Sequence, residues 1–407
     1  MNMRKVFTLF VLVLIAAGCS WNTLRKQEIE NMKAEFVLHY GKQPDLWPIM
    51  VGMMTDNTDI FSVPVENAVG TNCLNNAITL LRFNKDQIEY DEVSRDFIKG
   101  VGIGNKYYPG IFSDKWIGYT QTRGFLLFNL QDKSFADHIP IQSGDELFTD
   151  VAVIDGSKLQ FIFQIYHAYF EDGKRSLKIL EFDGKGGFKQ ISELQAGPHK
   201  IGYLEPWAIQ NKTIFLYNND SVKIIAYDIN FKPVRHPFCD VFNSIKSFRC
   251  LDQMVTHPVF PIAILVEMDK KVRDNYRVWL VRWNNPDPEK RVVELLSQEI
   301  SPFSDYSNIK GLTCSGFQFS PDGRWLVFRD ESEEVLQSVP NPTFVAMPVD
   351  GSREMPLGRP KVLGKVMRES AYPSSTAWIK KPVSFVVSDG SVLYKWELDG
   401  LKREFKD

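Results

Sequence analysis

The fold is decided by one stretch, which reads Gly316-Phe-Gln-Phe-Ser-Pro-Asp-Gly-Arg-Trp-Leu-Val-Phe328. Two short runs of alternating apolar residues flank the tetrapeptide that begins at Ser320. Within it, Pro321 presets its own φ for a turn, Asp322 suits hydrogen bonds to nearby backbone, and Gly323 tolerates a positive φ. Alternating runs on both sides of such a turn predict a β-hairpin.

One unit, an apolar strand that ends in a polar turn, recurs along the whole chain. Its copies follow one another at intervals of roughly 50 residues, which is the period of a propeller blade made of four short strands. We therefore predict an all-β chain folded as a β-propeller of seven four-stranded blades. The seven copies are residues 76–84, 123–131, 175–183, 221–230, 276–284, 342–350 and 391–399.

A second recurring piece lies upstream of several copies and consists of an aromatic residue, a turn and an apolar strand. Residues 207–216 and 378–387 align on 319–328 without gaps, and residues 112–117 and 153–161 are shorter versions. The phrase Phe319-Ser-Pro-Asp-Gly-x-x-Leu-x-Phe, with a later strand that ends Val349-Asp-Gly351, resembles the WD40-like repeat of TolB-type propellers. The sharp match covers residues 316–351, and the looser similarity, which implies a propeller, begins at about residue 48.

Closing a propeller ring requires a blade that is built from both ends of the chain. Residues 58–65 and 402–405 are the candidate strands for this blade. The sequence does not assign which end supplies which strand, so six or eight blades stay open. A β-sandwich or several small β-domains is the alternative fold, but seven similar spacings favour the propeller.

The first eighteen residues have the pattern of a secretory signal. Basic Arg4 and Lys5 precede an apolar run, residues 6–17, that is shorter than the roughly 20 residues of a membrane span. Ala16-Ala-Gly-Cys19 resembles a bacterial lipobox, which implies that Cys19 is diacylated and anchors the chain to a membrane. An ordinary signal peptide or an N-terminal membrane anchor is the alternative.

The expected location is the bacterial cell envelope, where Ser20, rather than Asp, after the lipidated cysteine favours the outer membrane facing the periplasm. The inner membrane and the cell surface stay open. Residues 19–47 then form a lipidated tether, because Leu24, Ile29, Met32 and Phe36 are spaced as in a short helix or a flexible linker. Residues 48–407 form the propeller domain.

The charge balance argues against a nucleic-acid partner. The chain has 48 basic and 50 acidic residues, and removing residues 1–18 takes away Arg4 and Lys5 but no acid, which leaves a formal charge of −4. Proteins that bind nucleic acid need a basic stripe.

Four cysteines remain if Cys19 carries lipid, namely Cys73, Cys239, Cys250 and Cys314. An exported chain keeps disulfides. Cys239 and Cys250 flank one short loop and are predicted to pair, with buried free thiols as the alternative.

Motifs for catalysis, cofactors or metals are missing from the sequence. There is no Gly-x-Ser-x-Gly elbow and no zinc or calcium spacing, so we predict no catalytic residue, cofactor or metal. His236 and His257 both precede proline near blade connections, where they would serve as metal ligands or, as we favour, as structural histidines. Four tryptophans at repeat positions favour packing over sugar stacking: Trp207, Trp325, Trp378 and Trp396.

Three long charged loops are predicted to join the second and third strands of their blades. They are residues 169–175, 268–274 and 330–342. Since function concentrates on loops held by a rigid scaffold, we predict a recognition face, with solvated decoration as the alternative. Its basic residues are Lys270, Lys271 and Arg273, and its acidic residues are Asp330, Glu331, Glu333 and Glu334.

The favoured function is a non-catalytic module that docks an unidentified envelope protein, with the membrane contacted through the lipid. One alternative is an enzyme that acts on glycans in the mouth of the channel, because the fold alone does not determine function. Another is a sensor of small ligands or glycans. A pair of converging carboxylates would favour the enzyme.

Overall fold

The structure is a computed structural model, and it describes most of the predicted domain. The predicted signal peptide and the predicted lipidation site Cys19 lie outside the described residues. The described residues are 36–39, 48–52, 59–64, 78–84, 87–94, 107–111, 116–121, 124–129, 134–140, 146–155, 158–167, 175–183, 187–195, 207–218, 221–245, 248, 250–268, 276–300, 314–330, 342–366, 375–380, 382–389 and 392–405.

The described residues form seven antiparallel sheets of four strands each, numbered here in chain order. Sheet 1 contains β2 (Pro48–Gly52), β3 (Asp59–Pro64), β4 (Ile78–Asn84) and β5 (Gln87–Ser94). Sheet 2 contains β6 (Tyr107–Ile111), β7 (Trp116–Gln121), β8 (Gly124–Asn129) and β9 (Ser134–Pro140). Sheet 3 contains β10 (Glu146–Asp155), β11 (Gln160–His167), β12 (Arg175–Phe182) and β13 (Phe188–Gln195).

Sheets 4 to 7 repeat the same order. Sheet 4 contains β14 (Trp207–Gln210), β15 (Thr213–Asn218), β16 (Lys223–Tyr227) and β17 (Pro233–Val234). Sheet 5 contains β18 (Leu251–Thr256), β19 (Ile262–Met268), β20 (Tyr276–Arg282) and β21 (Val292–Leu295). Sheet 6 contains β22 (Cys314–Phe319), β23 (Trp325–Asp330), β24 (Thr343–Pro348) and β25 (Lys361–Lys365). Sheet 7 contains β26 (Ser375–Lys380), β27 (Val383–Asp389), β28 (Val392–Glu397) and β1 (Phe36–His39).

Helical structure in the described residues is limited to short pieces between strands. The helix α1 (Pro237–Phe242) follows β17, the helix α2 (Ser297–Ile300) follows β21, and a 3-10 turn spans Pro288–Lys290. None of these helices is long and apolar enough to cross a membrane.

The sheets are arranged as in a propeller. Within sheets 1 to 6 the strands lie in chain order, and sheet 7 has the order β26, β27, β28 and β1. The first strands of neighbouring sheets contact each other, as β14 does with β18 and β18 with β22. Contacts between β2 and β26 join the first sheet to the last. The predicted all-β propeller class is therefore confirmed.

The predicted repeat falls in the same place in every sheet. Each of the seven copies contains the third strand of its sheet, from β4 in the first to β28 in the last. The second recurring piece spans the first two strands, as the hairpin of β22 and β23 shows. The turn between them closes through a hydrogen bond from the Gly323 amide to the Ser320 carbonyl at 2.8 Å, and Gly323 has the expected positive φ of 72°.

The ring is closed by a strand that the sequence analysis did not identify. The backbone of β1 pairs with β28 and supplies the fourth strand of sheet 7. Both candidates for this strand were wrong, since Asp59–Pro64 is the second strand of sheet 1 and residues 402–405 form no strand. The closing strand lies within residues 19–47, where the spacing of apolar residues suggested a helix or a linker.

The residues after β28 lie against sheet 6 instead. The Glu404 carbonyl accepts a hydrogen bond from the Arg359 amide at 2.8 Å, and Arg403 donates to the Val349 carbonyl. The Arg353 guanidinium lies over the Phe405 ring, 4.4 Å from its centroid. Because β1 occupies the edge of sheet 7, the chain beyond β28 is available to bridge sheets 6 and 7.

In sheets 4, 5 and 6, apolar side chains on both faces hold neighbouring sheets together. Along β20, Trp279 and Val281 belong to a cluster shared with sheet 4, whereas Val278 and Leu280 belong to one shared with sheet 6. This alternation follows from the period of two in a strand. Full burial of such a side chain contributes about 1.5–3 kcal/mol, so the interfaces dominate the stability of the ring.

The tryptophans at repeat positions pack as predicted. Trp325, Trp378 and Trp396 are all buried in one cluster between sheets 6 and 7. The side chain of Trp207 lies outside the described part of the chain.

The wedge between the outer strands of sheets 4 and 5 is filled by α1. Phe238 and Phe242 of this helix are buried in the cluster that joins the two sheets. His236 caps the helix, because its Nδ1 accepts a hydrogen bond from the Phe238 amide at 3.2 Å. The His236 ring also packs edge-on against Phe215 and Trp283.

The predicted disulfide between Cys239 and Cys250 is not formed. Cys239 lies in α1, Cys250 precedes β18, and both are buried free thiols. Cys314 is buried as well. Burial, with the Asp240 carboxylate as a secondary cause, raises the pKa of the Cys239 thiol to about 12. The cysteines act as small apolar side chains in the described interfaces.

Side-chain amides on the first strands connect one sheet to the backbone of the next. The Gln253 amide donates to the Phe317 carbonyl and accepts from the Phe317 amide, both at 3.0 Å. Gln210 donates to the carbonyls of His257 at 2.5 Å and Phe260 at 2.9 Å. Each glutamine therefore connects the first strand of its sheet to the backbone of the next sheet.

His257 makes a similar link from sheet 5 to the hairpin turn of sheet 6. Its Nδ1 accepts hydrogen bonds from the amides of Val259 at 3.0 Å and Phe260 at 2.8 Å, so its Nε2–H donates to the Gly323 carbonyl at 2.8 Å. A Cβ on Gly323 would lie 2.4 Å from the His257 ring. Gly323 is therefore required both by its φ and by this close approach.

We expect the stability of the protein to fall below about pH 6.5 because of His257. Burial lowers the pKa of His257, against the opposing effects of the Gly323 hydrogen bond and Asp322, so the unfolded chain takes up the proton first. The stabilisation is fully present above the unfolded pKa and is lost as the pH falls towards the folded pKa. Urea unfolding of the full chain at several pH values between about 7.5 and 5 measures this slope.

The variant His257→Gln should be less stable at neutral pH by about 1–3 kcal/mol, because it leaves buried backbone groups without partners. The free energy of unfolding of this variant should also change less steeply with pH than that of the wild type. An unchanged slope would assign the pH dependence to other groups, of which His236 is one, because burial lowers its pKa too.

The double variant Val37→Pro/Leu38→Pro should destabilise the ring. Successive amides of a strand point to opposite sides, so one of the two prolines removes a donor to β28 and both disfavour the pairing. We expect a loss of roughly 2–4 kcal/mol, since each net backbone hydrogen bond contributes about 1 kcal/mol. Denaturant unfolding measures it, with Met32→Pro/Lys33→Pro as the matched control. Equal stability of both double variants would contradict closure by β1.

Candidate functional site

The three predicted charged loops connect equivalent strands. The first joins β11 to β12, the second joins β19 to β20, and the third joins β23 to β24, which are the second and third strands of sheets 3, 5 and 6. In a ring of up-and-down sheets, these connections emerge at one end of the propeller, which we call the loop face. The turns that join first to second and third to fourth strands lie at the opposite end, the turn face.

Most residues of the predicted recognition face lie outside the described part of the chain, namely Lys270, Lys271, Arg273, Glu331, Glu333 and Glu334. The structure describes the strand ends from which these loops begin. Those ends show how the charged segments are attached to the scaffold.

Asp330 is not a surface residue of the third loop, which corrects the sequence interpretation. It is the last residue of β23, pairs across the sheet with Cys314 and Thr343, and is only 1% exposed. The charged run that begins at Asp330 therefore has its first carboxylate in the protein interior.

A buried ion pair anchors the second loop at its base. Glu267 of β19 and Arg277 of β20 are direct cross-strand partners, and their side chains approach to 2.6 Å. Glu267 is 2% exposed and Arg277 is 35% exposed. The Trp279 indole donates to Glu267 at 3.1 Å, and the Arg277 guanidinium lies over the Trp279 ring at 5.2 Å. Removing one member of a buried pair leaves a charge without compensation.

Tyr217 of sheet 4 extends this cluster towards the neighbouring sheet. It is fully buried, and burial raises the pKa of its hydroxyl to about 12, with Glu267 among the secondary causes. Tyr217 is therefore neutral at physiological pH. The cluster provides a fixed base for a basic loop.

The sequence analysis did not single out this cluster. Glu267 is the one acid in β19 and lies one residue before the end of this strand. Arg277 lies one residue after the start of β20, on the other side of the loop. Once the register of the hairpin is known, this opposite-charge pair follows.

The two histidines considered as metal ligands make hydrogen bonds to the backbone instead. The hydrogen bonds of His236 go to α1, and those of His257 go to the turns of sheets 5 and 6. Within the residues that the structure describes, no three or more His, Cys, Asp or Glu side chains are grouped to hold a metal ion.

The fold and this loop arrangement define the chain as a protein of the β-propeller class. No protein-family model matches it, and no curated protein matches it. A solved protein from Lactobacillus plantarum is 9% identical, with a TM-score of 0.47 and coverage of 78% of this chain and 85% of that protein. Hsv2 from Kluyveromyces lactis is also 9% identical, with a TM-score of 0.47 and coverage of 84% and 90%. The class assignment rests on the sheet order of the chain itself.

We expect Glu267→Gln to loosen the base of the second loop. The substitution leaves Arg277 without its buried partner, and it should lower the free energy of unfolding by about 1–3 kcal/mol. Native-state trypsin cleavage after Lys270, Lys271 and Arg273 should become faster, and peptide mass spectrometry measures it.

The matched control is Glu294→Gln, whose carboxylate lies 4.0 Å from Arg277 and is 42% exposed. An exposed pair of this kind contributes less than about 1 kcal/mol. Equal cleavage rates in the two variants would show that the buried pair does not hold the loop.

Proposed function

We propose that the chain is a lipid-anchored β-propeller of the bacterial cell envelope that binds another envelope protein without catalysing a reaction. The observation that carries this proposal is the placement of three long, charged loops between equivalent strands of sheets 3, 5 and 6, which brings them to the loop face. Rigid scaffolds commonly present binding residues on such loops.

The attachment of the loops supports recognition of charged partner groups. Glu267, Arg277 and Asp330 lie at the strand ends that hold the basic and acidic loops, and the two carboxylates are buried. A loop with a fixed base loses less conformational entropy on binding than one that must first be ordered. Charges on such loops then steer association and determine which partner fits.

The proposed anchor is a diacyl group on Cys19, followed by a segment that reaches the closing strand β1 at Phe36. We place the propeller at the outer membrane, facing the periplasm. A TolB-like repeat, proposed from residues 316–351, is consistent with an envelope protein.

Charge reversal on the loop face is the test of recognition. A tagged full chain, expressed in its own bacterium and cross-linked in living cells, should capture a partner that is lost in Lys270→Glu/Lys271→Glu/Arg273→Glu or in Glu331→Lys/Glu333→Lys/Glu334→Lys. Asp330 is left unchanged because it is buried. Loss of capture should be at least tenfold, because rim and loop charges control association.

The matched control reverses three charges near the turn face, in Lys158→Glu/Lys189→Glu/Lys232→Glu, all of which are exposed. This variant should capture the partner normally. Equal capture by all variants would exclude the loop face as the recognition surface.

The anchor is tested by labelling cells with an alkyne-bearing fatty acid. The wild-type chain should incorporate the label and sediment with membranes, and Cys19→Ser should do neither. Labelling of Cys19→Ser at the wild-type level would contradict lipidation at this residue.

A further inference from the structure

The interface between sheets 5 and 6 is left open at its outer end. A cleft of about 610 Å³ lies there, between β20 and β21 on one side and the segment after β24 on the other. Its apolar wall is formed by Leu280, Val293, Leu295, Met347 and Leu357. In the neighbouring wedge, between sheets 4 and 5, the aromatic side chains of α1 occupy the corresponding position.

Arg282 places a positive charge in this apolar row. Val278, Leu280 and Arg282 alternate along β20 on the side that faces sheet 6, so the guanidinium follows two buried aliphatic residues. One of its terminal nitrogens donates to the carbonyl oxygen of Glu354. Its Nε is buried and has no hydrogen-bond partner.

The other charged groups of the cleft are already paired. Lys290 forms an ion pair with the Glu354 carboxylate. Arg353 lies 3.4 Å from Asp350 and over the Phe405 ring. Glu299 accepts a hydrogen bond from the Leu296 amide at 2.8 Å. Among the described residues, no carboxylate lies within ion-pair distance of Arg282.

A partly desolvated guanidinium that lines a cleft and has no carboxylate partner favours a carboxylate ligand. Burial lowers the pKa of Arg282, and the nearby Glu354 carboxylate acts in the opposite direction, yet arginine stays charged at any physiological pH. Arg282 is half-buried and lines the cleft, so a planar carboxylate can approach the accessible part of the guanidinium, although the buried Nε is out of its reach. Because the other charged groups of the cleft are paired, one positive charge remains, and it matches a single carboxylate better than a multiply charged phosphate.

We propose that this cleft binds an extended segment of a partner protein that places an apolar side chain on the aliphatic wall and a neighbouring carboxylate against Arg282. The proposal deepens the function proposed above, since it assigns a second contact to an interaction module, and it rests on that function. The cleft volume falls within the range of sites that enclose a small ligand. The one guanidinium of the cleft without an ion-pair partner among the described residues sets the charge of the segment at one carboxylate.

The exposed Met355 offers a way to test the site without disturbing the core. Met355 lines the cleft and is 36% exposed. A carboxylate at this position, in Met355→Glu, would compete with the ligand for the Arg282 guanidinium. Arg282→Gln removes the charge and leaves a hydrogen-bonding side chain of similar length.

The probe is a phage-displayed library of random heptapeptides. The library is first depleted on empty lipid nanodiscs and then selected on the full chain in nanodiscs. We expect the enriched peptides to share an apolar residue with Asp or Glu within two positions of it. A synthetic peptide of that sequence, followed by fluorescence anisotropy, should bind Arg282→Gln and Met355→Glu at least tenfold more weakly than wild type. The matched control is Arg235→Gln, which replaces an arginine that is 89% exposed beside sheet 4. This variant should bind the peptide as wild type does.

Several outcomes would overturn the proposal: no enrichment over the library, a consensus that lacks an acid, or equal binding by Arg282→Gln and Met355→Glu in protein whose thermal unfolding shows it to be folded. A wild-type dimer in sedimentation that Met355→Glu abolishes would instead identify a second copy of the chain as the occupant. The loop-face variants separate this site from the one proposed above. They should bind the peptide normally. If they lose partner capture but still bind the peptide, the cleft is a site independent of the loop face.

Discussion

The structure depends on one constraint, which is that a four-stranded sheet with two apolar faces, as sheets 4, 5 and 6 have, needs a neighbour on both. The alternation along β20 shows this directly, because Trp279 and Val281 are buried towards sheet 4 while Val278 and Leu280 are buried towards sheet 6. A row of such sheets that did not close would leave one apolar face exposed at each end. The contact of β2 with β26 and β27 avoids this exposure by joining sheet 1 to sheet 7, and the pairing of β1 with β28 ties the two ends of the chain into one sheet.

Close packing of the first strands creates a second requirement, which concerns polar backbone groups. Where two sheets meet near the centre, strand pairing ends and some amides and carbonyls have no partner in their own sheet. Gln210, Gln253 and His257 reach across to these groups. An unmade hydrogen bond in a buried site costs more than a made one contributes, so these side chains serve mainly to avoid a penalty. The positive φ of Gly323 and its contact with the His257 ring belong to the same arrangement.

The repeat was predictable from sequence because it is local. The third strand of every sheet, the hairpin around Ser320 and the packing of Trp325, Trp378 and Trp396 follow from apolar alternation and turn chemistry within about ten residues. The closing strand was not predictable in this way, since Phe36–His39 is defined by its pairing with residues far away in the chain. The disulfide prediction failed for the same reason, because nearness of Cys239 and Cys250 in sequence says nothing about the helix that one of them occupies. Similarly, the acidic run after β23 does not reveal that the strand extends through Asp330 and buries it.

The outer end of the propeller is where the constraint on packing relaxes. Near the centre, the first strands of neighbouring sheets contact each other, as β14, β18 and β22 do. Farther out the sheets diverge, and each wedge must be filled by something other than strands. Between sheets 4 and 5 the chain inserts α1, with Phe238 and Phe242 buried. Between sheets 5 and 6 it leaves aliphatic walls and an arginine whose Nε is buried without a partner. One protein therefore solves the same geometric problem in two ways within neighbouring wedges. The open wedge presents a half-buried arginine beside an aliphatic wall, and the proposed carboxylate ligand would give that arginine the ion-pair partner that no described residue supplies.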